Sequence, residues 1–412
     1  MAAPLETRSA LPVGRTPRVA DRVAHAIGRR LHAALDPERV RLELHDGAAF
    51  GPARAAALAT VRLADARAAF ELAFDPQLAF GDLYATGRMQ VEGSLVDLVC
   101  ATNAAPPRFG VRDWLARHAA PGRRAQALAR ATENARHHYD VGNDFYALWL
   151  DERMVYTCAY FARADTTLEE AQLAKLDHVC RKLRLAPEQR VLELGSGWGS
   201  LAIHMARHYG ARVRAFNVSR EQVAFAREQA EKAGVASRVE FVLDDYRSAS
   251  GRYDAVASVG MLEHVGPENY EALGRVIAGT LAPHGLGLIH TIGRSQPWPL
   301  NRWIATRIFP NAHPPALSEM MRIFEPQNFA VLDVENLRRH YERTASCWLA
   351  RYQTNRRLVS ERVPEETARA FELYLAGTVA AFRCAWLCLY QVVFTRAGND
   401  AIPWTRADLY EH

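Results

Sequence analysis

The sequence predicts an α/β protein: a doubly wound, mostly parallel sheet with a small α+β N-terminal domain in front of it. Three observations lead there. Arg190-Val-Leu-Glu-Leu-Gly-Ser-Gly-Trp-Gly199 runs from an apolar stretch into glycines at 195, 197 and 199, then into a helical pattern from Ser200 to His208. Strand-like and helix-like segments alternate from 191 to 291, the pattern of a parallel sheet. Short alternating runs fill residues 40–74 instead.

The chain has 412 residues, 49% hydrophobic and 24% charged, which is ordinary globular composition with room for two or three domains. A net charge of +5 is too weak to imply nucleic acid and compatible with an anionic membrane surface. The six cysteines, Cys100, Cys158, Cys180, Cys347, Cys384 and Cys388, lack metal-ligand spacing and read as free thiols in a reducing cytoplasm. No signal peptide is expected. The longest apolar tract, Leu375 to Phe394, is interrupted by Arg383 and Gln391, whereas a membrane span needs roughly 20 apolar residues in a row. The expectation is a cytoplasmic protein, peripherally associated with the inner face of the membrane.

Residues 1–17 carry Pro4, Pro12 and Pro17 and read as loose. Val19, Val23, Ile27 and Leu31 then recur every fourth residue, with Arg22, Arg29 and Arg30 off that line, which predicts a basic amphipathic helix. It packs on its own domain or touches a membrane. Val40–Leu44, Thr60–Leu63 and Phe70–Phe74 read as strands, Gly81–Gly93 as a turn-rich segment and Ser94–Thr102 as a helix. This domain is placed at 1–105 and a basic linker at 106–132. Arg123, Arg124, Arg130 and Arg136 form a solvated face or a phosphate contact. The main domain takes 133–412. Its strands are Val191–Leu194, Arg212–Val218, Val239–Leu243, Ala255–Val259 and Leu286–Thr291, with helices at 200–209, 220–233 and 269–281. Gly234 and Gly285 stand where helices should end.

Ligands of such sheets sit beyond the carboxyl ends of the strands. A dinucleotide turn needs G-x-G-x-x-G, but Ser200 stands three residues after Gly197. A phosphate-binding loop needs Gly-Lys-Ser/Thr, which is absent. G-x-G-x-G suits S-adenosylmethionine (SAM), which has no pyrophosphate; a purely structural glycine turn is the alternative. Asn217 and Gln222 follow the second strand and Asp245 the third. They are placed to meet ribose hydroxyls and an adenine amino group.

Further blocks are more specific: His138-Tyr-Asp-Val-Gly-Asn-Asp-Phe-Tyr146, Tyr156-Thr-Cys-Ala-Tyr-Phe161, Val259-Gly-Met-Leu-Glu-His-Val-Gly266, Leu288-Ile-His-Thr-Ile-Gly293, Ile308-Phe-Pro-Asn311 and His340-Tyr-Glu-Arg-Thr344. With the glycine turn, they make residues 133 to 400 resemble the cyclopropane-fatty-acyl-phospholipid synthase family, which includes the mycolic acid cyclopropane synthases. Residues 1–110 resemble the small N-terminal lobe of bacterial members more loosely. The resemblance implies a Rossmann-like SAM-dependent methyltransferase sheet. It implies methyl transfer from SAM to a cis double bond of an unsaturated phospholipid acyl chain. Proton loss and ring closure follow, with bound bicarbonate as base. Positions matching the bicarbonate ligands are Cys158, Glu263, His290, Ile292 through its backbone N–H, and Tyr341. Positions matching SAM contacts are Tyr156, Thr157, Gly195, Gly197, Asn217, Gln222 and Asp245. Singly, these residues would read as core filler, core histidine, surface carboxylate and packing tyrosine; their joint occurrence inside the blocks is the argument.

An alkene is a weak nucleophile, so the methyl must be held in line and water excluded. Aromatic faces can steady the resulting cation; Tyr139, Phe145, Tyr160, Phe161, Trp303, Phe309 and Tyr341 are candidates. Departures from the family pattern are Glu193, Ser196, Asn217, Leu262, His313 and Pro314. Those at 217, 262 and 313–314 bear on the cofactor pocket or acyl channel, and so on substrate and product. A methyl-branched or methylene product, or a lipid-binding protein with an inactive methyltransferase domain, are the alternatives. A homodimer is plausible because two copies strengthen a weak membrane contact.

Overall fold

The computed structural model describes residues 19–102 and 142–409. Residues 19–102 form a four-stranded sheet, order β2-β1-β3-β4, from β1 (Val40–Glu43), β2 (Ala49–Phe50), β3 (Ala59–Leu63) and β4 (Met89–Gly93). Helix Val19–Ala34 precedes it, and the buried line of that helix is Ala24 and Gly28, with Val23 42% exposed. The four-residue repeat therefore places the axis one residue off. Gly28 lies inside because the Phe50 ring leaves no room for a Cβ there.

Two local expectations fail in this sheet. Phe70–Phe74 belongs to a helix, Ala66–Phe74, and not to a strand. Asp65 caps it by accepting from the Ala68 N–H at 2.8 Å, and Ala68, Ala69 and Leu72 are its buried residues. A five-residue alternation is too short to outweigh a cap and a helical buried face. Gly81–Gly93 is not a run of turns. It contains most of helix Pro76–Ala85, a turn at Gly87, and β4, which pairs antiparallel with β3. Helix Leu95–Thr102 occurs where expected, with Ser94 accepting from the Asp97 N–H.

Gly81 sits mid-helix because a partner presses on it. A Cβ there would lie 2.3 Å from the Trp303 indole. Trp303 Nε1 and Arg307 both donate to Asp82 Oδ1, and Arg302 pairs with Asp75. Arg369 donates to the Tyr84 and Met89 carbonyls. These bonds dock the N-terminal domain on segment 301–309 and on helix Glu365–Arg383 of the main domain. Gly81→Leu should therefore lower the thermal unfolding midpoint, by overpacking worth about 1–3 kcal/mol, and expose the joint to limited proteolysis. An unchanged midpoint would show that the indole does not press on this helix.

The main sheet has seven strands in the order β10-β11-β9-β8-β5-β6-β7. They are β5 (Arg190–Leu194), β6 (Arg212–Asn217), β7 (Val239–Leu243), β8 (Tyr253–Val259), β9 (Leu281–Gly293), β10 (Phe329–Asn336) and β11 (Cys388–Arg396). Strands β5 to β9 pair parallel, whereas β11 runs antiparallel to both β9 and β10. The chain leaves β5 toward β6 and β7, then crosses back to β8, so the topological switch point lies above β5. Helix Leu168–Lys182 starts with a Thr167–Glu170 capping box and ends on Arg181 and Lys182, charges that suit both ends of its dipole. Gly234 follows the helix Arg220–Lys232 as expected. Gly285 does not end a helix. Helix Tyr270–Thr280 passes directly into β9, and Gly285 lies in that strand, where a Cβ would strike Leu281 and the Asp254 carbonyl. The apolar tract Leu375–Phe394 divides at Arg383 into the end of helix Glu365–Arg383 and most of β11. Among the described residues no helix is long and apolar enough to cross a membrane. The expected linker at 106–132, its arginines and Tyr139 lie outside the described residues.

Candidate active site

The turn after β5 has φ of 86° at Gly195, 50° at Gly197 and 87° at Gly199, the left-handed region where glycine carries no Cβ penalty. The N–H groups of Gly195 and Ser196 both donate to Phe216 O on β6. Gly199 is also wedged: a Cβ would lie 2.7 Å from Ala226 Cβ and from Phe241 Cζ. The turn forms one wall of a cavity beyond β5, β6 and β8. All seven residues expected to meet SAM (Tyr156, Thr157, Gly195, Gly197, Asn217, Gln222 and Asp245) line it, with Trp198, Lys175, Met261 and His264.

Their bonds refine the expected roles. Asn217 Nδ2 donates to Gly197 O and to Gln222 Oε1, each at 3.0 Å, and its Oδ1 accepts from Ser219 N. Asn217 thus braces the turn and ties Gln222 to it. Asp245 Oδ1 accepts from Arg247 N, and its Oδ2 is paired with Arg247 at 3.1 Å. Thr157 Oγ1 accepts from Lys175 Nζ at 2.9 Å, and the Tyr156 hydroxyl donates to that of Tyr374.

Glu263 follows β8 between Met261 and His264, which face the cavity. Its carboxylate turns to β9, where Oε1 accepts from Ile292 N at 2.6 Å. The Ile292 N–H is therefore spent on Glu263 and is not an open donor. His290 precedes it by two residues on the same strand, so the two share a face roughly 7 Å apart. Gly260 N donates to the His290 carbonyl and holds the two segments together. Cys158 and Tyr341 reach the site from another side. Cys158 Sγ lies 3.9 Å from Leu337 O, which also accepts from Tyr341 N. Leu337 N in turn donates to Leu389 O, and Leu389 stands opposite Ile292. One backbone row, Ile292–Leu389–Leu337, thus ties the Glu263/His290 pair to the Cys158/Tyr341 pair. All four side chains are buried, at 6%, 1%, 0% and 5% exposure in that order.

Burial sets the charges. It raises the Glu263 carboxyl to about 7 and drives the Cys158 thiol far up, against metal-ligand or nucleophilic use of that sulfur. His290 is pushed well below the ordinary histidine range by burial first, then by Lys175, Lys182 and His178. Glu263 Oε2 and His290 Nε2 are buried without a hydrogen-bond partner among the described residues. A small group with its own donor and acceptor oxygens fits such a pair. Bicarbonate is of that kind.

Sequence reasoning missed Lys175. It is buried in the cavity wall, and desolvation brings its pKa down to about 8. Glu193 beneath the turn is raised to about 8 for the same reason. The available signal was the face Lys175, His178, Lys182, at i, i+3 and i+7 of an otherwise packed helix, all three buried. His313 donates its backbone N–H to the Glu263 carbonyl at 2.7 Å, so the departure at 313–314 abuts the candidate base site.

The aromatic candidates separate. Phe145 is packed within Tyr146, Trp149, Tyr352 and Phe371, and Trp303 is taken by the domain joint. Tyr160 is stacked between His178 and His340, and Phe161 lies under Arg343. Tyr341 stacks on Phe382, while Phe309 contacts Tyr374 and His264. Of these, Phe309 reaches the cavity-lining His264, and Tyr341 shares the Leu337 carbonyl with Cys158.

A doubly wound sheet with a G-x-G-x-G turn at its switch point, opening on this cavity, defines a SAM-dependent methyltransferase. Residues 126–392 match the model of the mycolic acid cyclopropane synthetase family, and the chain belongs to that family. A Pseudomonas putida protein named "Probable fatty acid methyltransferase" is 34% identical over 90% of this chain and 96% of its own. The cyclopropane-fatty-acyl-phospholipid synthase of Escherichia coli (strain K12) is 38% identical over 68% of this chain and 72% of its own. Mycolic acid cyclopropane synthase CmaA1, solved with SAH and CTAB, superposes with a TM-score of 0.61 at 28% identity, covering 64% of this chain and 98% of its own. Together these support cyclopropanation or methylation of lipid acyl chains.

Proposed function

We propose that this enzyme transfers the SAM methyl to a cis double bond of an unsaturated phospholipid acyl chain and closes a cyclopropane ring. The observation that carries this reading is that Glu263 and His290, both buried, each keep one polar atom, Oε2 and Nε2, without a hydrogen-bond partner among the described residues, next to His264 and Val259 of the cofactor-cavity wall. A methyltransferase that only alkylates a heteroatom needs no such dry acid–base pair there. The cavity, through Gly195, Gly197, Gln222 and Asp245, holds the cofactor, which supplies an electrophilic methyl. Asn217 and the Lys175–Thr157 bond keep that wall in place. Glu263, His290, Cys158 and Tyr341 would hold bicarbonate, which supplies a base small enough to work beside an acyl chain. Ile292 enters indirectly, by orienting Glu263 through its N–H. Phe309 and Tyr341 present ring faces to the developing cation.

The substrate is an acyl chain of a membrane lipid, and the enzyme meets it as a peripheral protein on the cytoplasmic face. The helix Val19–Ala34, with Arg22, Arg29 and Arg30 exposed, supports a surface contact. In this reading residues 1–105 form a lipid-facing lobe, 106–132 a linker and 133–412 the catalytic domain. A homodimer would add to the membrane contact.

A second reading, methylation without ring closure, is favoured by the fatty acid methyltransferase name of the relative that spans most of the chain. One assay separates them. Purified protein, SAM and liposomes of cis-monounsaturated phospholipid are incubated, and the fatty acid methyl esters are analysed by mass spectrometry. A gain of CH₂ with loss of the olefin is the expected result. A gain of CH₂ with the double bond retained would establish the second reading. No mass change with SAM bound would refute both for this substrate.

A further inference from the structure

Gln391 interrupts the apolar run Cys388–Phe394 of β11, and the fold shows what it faces. It stands opposite Glu335 on β10 and opposite His290 on β9. Directly opposed residues on neighbouring strands project from one face of a sheet. A row of three polar side chains, Glu335–Gln391–His290, therefore crosses β10, β11 and β9. Gln391 and His290 are buried at 0% and 1% exposure. At the outer end Glu335 Oε2 is held by Lys182 Nζ at 2.6 Å and by His178 Nε2 at 2.7 Å. At the inner end Gln391 Nε2 lies 3.1 Å from His290 Nδ1.

An amide NH₂ donates and cannot accept. With the amide oriented this way, which leaves Gln391 Oε1 buried without a partner among the described residues, the ring nitrogen that faces Nε2 carries the lone pair. His290 is neutral, since burial and the nearby Lys175 and Lys182 oppose its protonation. A neutral imidazole keeps one proton, which then resides on Nε2. That atom is buried without a hydrogen-bond partner among the described residues.

We propose that Gln391 is a positioning residue that fixes His290 as its Nε2–H tautomer. In the base-site reading, His290 then brings one N–H donor and Glu263 one carboxylate acceptor. An anion that carries both an acceptor oxygen and an O–H is matched by that pair. The reverse amide orientation would demand Nδ1–H and leave two bare acceptors facing the same anion. This inference deepens the base-site reading above and rests on it for its catalytic meaning, while the tautomer itself is measurable without turnover.

The test is nitrogen NMR on perdeuterated protein labelled with ¹⁵N-histidine, in which long-range proton–nitrogen correlations report each ring's tautomer. His290 is assigned by the signals missing in His290→Asn. The expected result for the wild type is a lone-pair Nδ1 and a protonated Nε2. Gln391→Glu should reverse the tautomer, and Gln391→Met should give a mixture. Product formation should fall roughly 10- to 100-fold in both, the usual effect of losing a partner that orients a site ligand, with SAM affinity unchanged. A wild-type Nδ1–H tautomer would overturn the proposal, as would a Met variant that keeps Nε2–H at full turnover. If the Met variant does not fold, the wild-type spectrum decides alone. An Nε2–H tautomer in an enzyme that makes no lipid product would uphold the role of Gln391 and remove the base-site reading instead.

Discussion

Glu263→Gln should reduce lipid product formation about 1,000-fold, within the range for loss of a general acid–base group, and leave SAM affinity unchanged. Glutamine keeps an oxygen to accept from Ile292 N, which glutamate does at 2.6 Å, so the loop after β8 stays anchored to β9. The change is confined to Oε2, the atom buried without a partner, which becomes a donor. The cofactor cavity is lined by Met261 and His264 on either side but not by Glu263, which is why binding should survive. The pH dependence carries a second signature. Burial raises the Glu263 carboxyl to about 7, so the ionised, accepting form grows as pH rises through that value. Turnover at saturating substrates should fall as pH drops below it, and this limb should vanish from the residual activity of the Gln variant. Calorimetry with SAM and the liposome assay measure both halves. Wild-type yield from Glu263→Gln would remove Glu263 from the base site.

Gly199→Val should abolish SAM binding and destabilise the protein by about 3 kcal/mol. Two costs combine. Valine is a poor residue at φ of 87°, where a Cβ costs roughly 1–2 kcal/mol. The new atom would also lie 2.7 Å from Ala226 Cβ and Phe241 Cζ, and overpacking of this kind costs about 1–3 kcal/mol. Ala226 and Phe241 belong to the helix and strand that follow β6, so relief of the clash pushes the turn toward the cavity. Differential scanning calorimetry should show a lower midpoint, and titration calorimetry no heat with SAM. A variant that bound SAM normally would show that the turn does not press on the cofactor.

The two substitutions probe features that were legible to different degrees. Gly195, Gly197 and Gly199 declare a turn at the end of an apolar strand, because positive φ is a local demand that a side chain cannot easily meet. The five parallel strands were legible because each contains a short apolar run that is buried in the sheet. The N-terminal domain was less so. Phe70–Phe74 has strand alternation and helix periodicity at once, and only the Asp65 cap and the buried Ala68, Ala69 and Leu72 decide between them. Gly81 read as a turn because nothing local shows that an indole 222 positions later fills the space of its side chain.

The chemistry divides in the same way. Sequence alone marked the five parallel strands, the glycine turn and Cys158, Glu263, His290 and Tyr341 as a candidate set, since these lie inside ordered blocks; the antiparallel strands β10 and β11 came only with the structure. Tertiary structure decided what they and their neighbours contact. Ile292 N is spent on Glu263, and Asn217 braces the turn. Lys175 is buried in the cavity wall, and Gln391 faces the His290 ring. Each of these depends on a contact between residues far apart in the chain. In a dry interior a polar group's protonation and direction are set by whichever partner the fold brings within about 3 Å, and sequence separation carries no record of that partner.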